Sequence, residues 1–212
     1  MLTDFVANAF AMLFVTIDPI GLAPMFLAVT AGAAGPQRLR IAIKAIAISA
    51  GILLAFLIAG GKLLAVMGIS QPAFQVGGGL LLFIIAVEMV FELRQKRKAE
   101  NAEKVADSTD DLSHVAVFPL AIPLISGPAT ISALILLQQQ APGAAGITAL
   151  LLVLFAVLLC CFIVFLAADR IEKVMGQTAQ MIVTRLFGVL LAALSVQFVA
   201  DGIFQLIKLN AA

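Results

Sequence analysis

The 212-residue chain is 63% hydrophobic and only 12% charged, carries a formal net charge of +1 and has a mean hydropathy of +1.15. Those values exclude a soluble globule, and in such a chain the charge reports orientation rather than a nucleic-acid partner. The medium that suits this composition is the lipid bilayer.

Near-continuous apolar runs lie at about 5–30, 41–60, 73–91, 115–138, 146–168 and 184–207. Each is long enough as a helix to cross a hydrocarbon core about 30 Å thick, so the sequence predicts an all-α membrane protein of six transmembrane helices. The first run lacks a basic leader and is followed by five more, which reads as a span of the mature protein rather than a signal peptide.

Within the first run, "TIDPIG" (16–21) puts a carboxylate and a helix breaker where hydrocarbon should be. Pro19 has no N–H to give the carbonyl of Val15, and an unbroken helix here would cost about 3 kcal/mol or more. Asp18 as N-cap and Pro19 at the first position make a good start for a second half-helix. A charge at this depth costs roughly 2.5–3.5 kcal/mol, which marks Asp18 as a functional candidate; the plainer role is a cap on a kinked structural helix. Pro24 follows and is read as a bend for packing.

In the third run, "GGG" (77–79) predicts close helix approach, and Glu88, Glu92 and Lys96 make a polar stripe four residues apart. The polar connection 94–113 reads as a solvated cytoplasmic linker, with His114 at its end as an interfacial residue. The fourth run holds "FPLAIPLISGPATIS" (118–132). Here Pro119, Pro123 and Gly127-Pro128 predict a more disrupted span than the first, with Leu124 losing the donor that Pro128 lacks. Cys160 and Cys161, neighbours in the fifth run, are read as small hydrophobes. The sixth run carries Gln197, Asp201 and Gln205, again four apart.

Of the 13 Lys and Arg residues, Arg38, Arg40 and Lys44 flank the first connection. Arg94, Lys96, Arg97, Lys98 and Lys104 fill the third, and Arg170, Lys173 and Arg185 flank the fifth. Only Lys62 and Lys208 lie on the opposite side, so the basic residues place both termini outside the cytoplasm.

Sliding the chain by 109 residues lays Asp18-Pro19 on Gly127-Pro128, and Gly79, Glu88 and Glu92 on Gly188, Gln197 and Asp201. At an offset of 108, "KLLAVMG" (62–68) falls on "RIEKVMG" (170–176). Three spans per copy make the second copy enter from the opposite side. The expected organisation is thus two inverted three-helix repeats, 1–93 and 114–212, joined by the linker 94–113, with broken first and fourth helices.

Two breaks near the midplane would expose carbonyls at one end and free N–H groups at the other, which suits a zwitterion. The predicted substrate site comprises Asp18, Pro19, Ile20 and Gly21 at the first break, and Ser126, Gly127, Pro128, Ala129 and Thr130 at the second. Asp18, Glu88 and Gln197 are the candidates for ion coupling, with a proton or a sodium ion as the coupling species. No other cofactor and no metal site is indicated.

Through "DPIGLAP" (18–24) and "PLAIPLISGPATI" (119–131), set in six spans, the chain resembles the MarC family of integral membrane proteins, also classed as six-span neutral amino acid transporters. The resemblance covers almost the whole chain. It implies residence in the prokaryotic inner membrane and, for some members, uptake of glycine, alanine and related solutes. Leu22 stands where asparagine is often found, and Ala129 where glycine is, which changes the polarity of the first break and narrows the second.

The sequence therefore predicts a secondary transporter of small neutral solutes, amino acids first among them, working by alternating access. An exporter or a passive channel is the alternative, and a homo-oligomer is left open. An enzyme is not expected: H-E-x-x-H, a complete phosphate-binding G-x-x-x-x-G-K-[ST] and metal-spaced Cys or His sets are all missing, and "GGKLL" (60–64) lacks the hydroxyl residue.

Overall fold

The computed structural model describes residues 2–31, 33–91, 93 and 116–210. Every regular element among them is helical: α1 (Leu2–Ile17), α2 (Pro19–Val29), α3 (Gly35–Val66), α4 (Gln71–Val90), α5 (Ala116–Ile125), α6 (Pro128–Gln140), α7 (Gly143–Leu166) and α8 (Ala168–Asn210). Glu92, Lys96, the 94–113 linker and His114 lie outside the described residues.

Five stretches are long and apolar enough to cross a membrane: Leu2–Val29, Gly35–Val66, Gln71–Val90, Gly143–Leu166 and Thr178–Leu209. Their outer faces are apolar, with Ile58, Leu152, Leu159 and Val189 more than half exposed, as a lipid-facing surface requires. The fourth expected span, about 115–138, is not a single helix. It falls into α5, of 10 residues, and α6, of 13, each shorter than the roughly 20 residues a crossing needs.

Prolines account for that division. Phe118 (φ −129, ψ 123) and Ile122 (φ −126, ψ 126) precede Pro119 and Pro123 and are extended. Gly127, before Pro128, is extended too (φ −76, ψ 168). The ring of each proline crowds the residue before it out of the helical region. A looser turn results, in which Ser126 N–H reaches the Ala121 carbonyl at 2.9 Å. Pro24, by contrast, is absorbed inside α2.

Of the interrupted pair, α6 lies in the middle of the molecule, while α5 packs on α3 and leaves Val117, Phe118 and Ile122 exposed. Every residue from Ser132 to Leu137 is buried, because α6 packs against α1, α3 and α4. Several helix pairs account for the packing. As α1 lies on α7, α5 lies on α3; as α2 lies on α7 and α8, α6 lies on α3 and α4.

The most extensive contact joins α4 to α8, and glycines allow it. A Cβ on Gly79 would come within 2.9 Å of Val199 Cγ2 and 3.1 Å of the Ser195 carbonyl. One on Gly188 would lie 3.0 Å from the Ala86 carbonyl. Gly77 has open space instead, so the close approach expected of "GGG" belongs to Gly79 and, against Leu136, to Gly78.

Two glycines share a left-handed backbone. Gly68 (φ 69) ends the "KLLAVMG" stretch and Gly176 (φ 61) ends "RIEKVMG", both in the left-handed region. Glycine reaches that region at no steric cost.

Candidate functional site at the two helix breaks

The first break is built around Asp18. Its own N–H still closes the last turn of α1, bonding to the Phe14 carbonyl at 2.9 Å. The backbone then turns left-handed at Asp18 (φ 57, ψ 63) and re-enters a helix at Pro19. Among the described residues Asp18 is the only non-glycine with positive φ, a conformation that costs an ordinary L-residue roughly 1–2 kcal/mol and that Asp and Asn tolerate best. Its Oδ1 accepts from Gly21 N–H at 3.1 Å, and Leu22 N–H bonds to its carbonyl at 3.1 Å. Asp18 is 1% exposed. It thus caps α2 and at the same time carries a carboxylate into the core.

Pro19 and Gly21 are buried and Ile20 is half-buried. Two carbonyls here lack their usual helical donor, because Pro19 has no N–H for Val15 and Pro24 none for Ile20. Thr16 Oγ1 donates to the Met12 carbonyl at 2.5 Å one turn earlier.

The second break is polar in a different way. Gly127, which caps α6, offers no side-chain acceptor to the N–H groups of the first turn. Ser126, Gly127, Ala129 and Thr130 are all buried, whereas Pro128 is exposed. Ser126 Oγ donates to the Ser49 carbonyl of α3 at 3.3 Å, while Ser49 Oγ, also buried, has no partner among the described residues.

The two breaks share one contiguous buried cluster that includes Ile17 and Leu22 from the first and Leu124, Ile125 and Ala129 from the second. They are chemically unequal. The positive end of α2 is already met by the Asp18 carboxylate, while the N-terminus of α6 has only the uncapped N–H groups around Ala129 and Thr130. Such a terminus favours an anionic group.

Of the coupling candidates only Asp18 is buried. Gln197 is exposed and donates to Asp201 Oδ1 at 2.9 Å on the same face of α8, four residues apart as a helix-surface pair. Its exposure places it away from the buried breaks. Glu88 is half-buried on α4.

Away from the breaks, two contacts close the molecule at the end where α3 and α8 begin. Arg38 Nη1 lies 3.2 Å from Asp169 Oδ2, and the rings of Phe26 and Phe165 stack at 4.4 Å with 7° between planes. No spacing of apolar residues in the sequence pairs these partners.

A family model described as "MarC family integral membrane protein" matches residues 3–207. The chain belongs to the MarC family. Among its MarC relatives, a "UPF0056 membrane protein" of Aquifex aeolicus is 36% identical over 201 residues, covering 95% of this chain and 93% of the relative. One of Archaeoglobus fulgidus is 35% identical over 205 residues, with 95% and 93% covered. A "UPF0056 inner membrane protein" of Escherichia coli, YhgN, is 28% identical over 205 residues, with 96% and 98% covered. No solved structure matches the chain. This MarC protein is therefore an integral membrane protein with several apolar helices.

Proposed function

We propose that this MarC protein is a secondary transporter of small neutral amino acids and not an enzyme. In this reading it sits in the prokaryotic inner membrane with six spans, α1–α2 forming the first and α5–α6 the fourth, and with both termini outside the cytoplasm. The halves 1–93 and 114–212 are inverted repeats that rock about the breaks. The inversion is supported by the matched packing of α1 on α7 and α5 on α3, and by left-handed glycines at the related positions 68 and 176.

The observation that carries the proposal is the unequal chemistry of the two buried breaks. The uncapped first turn of α6 receives the substrate carboxylate. The ammonium is received by the carbonyls that Pro19 and Pro24 deprive of donors, together with the carboxylate of Asp18. A proton or sodium ion bound near Asp18 supplies the coupling. The added methyl of Ala129, beside the N–H groups of α6, limits the size of the substrate.

Uptake of labelled glycine and L-alanine into proteoliposomes tests this directly. Saturable uptake, accelerated by unlabelled substrate preloaded inside, is expected of an alternating-access carrier. Asp18→Ala and Gly127→Val should each lower it at least tenfold. Full uptake in both variants would remove the breaks from the site, and loss of the counterflow effect would turn the reading to a channel.

A further inference from the structure

At the end of the molecule opposite the Arg38–Asp169 pair, the start of α4, the end of α6 and the last turns of α8 enclose a polar cavity of about 340 Å³. That volume is within the range of small-molecule sites, about 300–1,000 Å³. Its walls are unusual for a protein so apolar. Gln71 and Gln75 come from α4, Gln139 and Gln140 from α6, and Asp201 and Gln205 from α8. Leu136 supplies the one apolar wall.

The amides are partly fixed and partly unused. Gln205 Nε2 and Gln75 Oε1 are 3.5 Å apart across the cavity, and Gln197 holds Asp201 Oδ1 at 2.9 Å. Gln139 Nε2 is buried and has no hydrogen-bond partner among the described residues. A buried amide donor left in that state carries its full desolvation cost, which a ligand acceptor would recover.

The geometry points to a second binding site: this cavity receives a small zwitterionic solute, its ammonium on Asp201 and its carboxylate on Gln139 Nε2, before the solute moves to the breaks. A bare cation would leave the Gln139 donor unanswered, and a bare anion would face Asp201. Only a ligand with both charges uses both walls. The glutamine amides, which donate and accept at once, fit its remaining polar atoms without favouring either sign.

The route onward is written on one helix. Gln140, Leu136 and Ser132 are spaced four apart and so share a face of α6, which leads from the cavity to Pro128 at the break. Leu136, 1% exposed, stands between them as the barrier. The inference rests on the transporter reading for the direction of travel, and on the cavity alone for the ligand.

The test places a cysteine at Gln140, on the exposed rim, in a chain carrying Cys160→Ala and Cys161→Ala. Its modification by a membrane-impermeant methanethiosulfonate is timed with and without L-alanine, methylammonium or acetate. L-Alanine should slow labelling at least threefold. Asp201→Asn and Gln139→Leu should each raise the half-protecting concentration about tenfold, while Asp18→Ala leaves it unchanged.

Equilibrium dialysis of labelled L-alanine against Asp18→Ala protein with its natural Gln140 and cysteines gives the same readout without the reporter. Absence of both protection and binding overturns the inference, as does equal protection by methylammonium alone. Protection without uptake leaves this site standing and removes the transporter reading. Saturable uptake without protection or binding does the reverse.

Discussion

Asp18 Oδ1 accepts a hydrogen bond from Gly21 N–H at 3.1 Å while the Asp18 backbone holds φ 57. One residue therefore ends α1, starts α2 and sets the turn between them. Substitutions separate these duties. Asp18→Asn keeps both the cap and the tolerance for left-handed backbone, and its melting temperature in detergent should stay close to that of the parent. Asp18→Ala loses a cap worth about 1 kcal/mol and adds backbone strain on the order of 1 kcal/mol. Asp18→Gly loses the cap without the strain and should fall between them. If Asp18→Asn is stable but fails to take up substrate, the charge itself is required.

Glycines of the α4–α8 contact should divide sharply from those facing open space. Gly188→Ala forces a methyl to 3.0 Å from the Ala86 carbonyl and from Met89 Cβ, where backbone cannot yield, at about 1–3 kcal/mol. Gly77→Ala and Gly61→Ala meet nothing within 4 Å, and alanine's better helix propensity makes them neutral or stabilising. Thermal unfolding of the purified variants compares the two groups, and equal melting temperatures would contradict the packing.

The Arg38–Asp169 pair is open to solvent, with side chains 29% and 64% exposed. A double-mutant cycle with Arg38→Ala and Asp169→Ala should return a coupling of about 0–1 kcal/mol that fades as salt is raised. A coupling of several kcal/mol, insensitive to salt, would mean that the pair is buried in the working protein.

Orientation can be read from two cysteines placed in the same Cys160→Ala, Cys161→Ala background. Ala34 precedes α3 and Gln140 ends α6, at opposite ends of the helices. An impermeant thiol reagent added to whole cells should label Gln140→Cys and reach Ala34→Cys only after the membrane is opened. The reverse pattern would place the termini in the cytoplasm.

Much of the architecture was legible because its causes are local. A proline removes its own N–H and restricts its predecessor wherever it stands, so the breaks before Pro19 and Pro128 follow from a few adjacent letters. The looseness of 116–127 follows in the same way from Phe118-Pro119 and Ile122-Pro123. Close approach at Gly79 was legible from the small residues of "GGG".

What was not legible depends on residues far apart in sequence. Gln75, Gln139 and Asp201 meet in one cavity only because α4, α6 and α8 converge there. Gln197, a coupling candidate with Glu88, pairs with Asp201 on an exposed face of α8, and no pattern along one helix tells which side its neighbours will cover. The capping of α2 by Asp18 was foreseeable, but its left-handed backbone was not, as extended geometry is the usual state of an N-cap.

The irregular backbone of α5 and of the break before α6 also bears on how the chain is made. Synthesis delivers this segment before α7 and α8, yet its irregular backbone at Phe118, Ile122 and Gly127 cannot rest in hydrocarbon alone. The principal neighbours, α3 for α5 and α1, α3 and α4 for α6, are all made earlier, so the nascent segment docks on them before α7 and α8 follow.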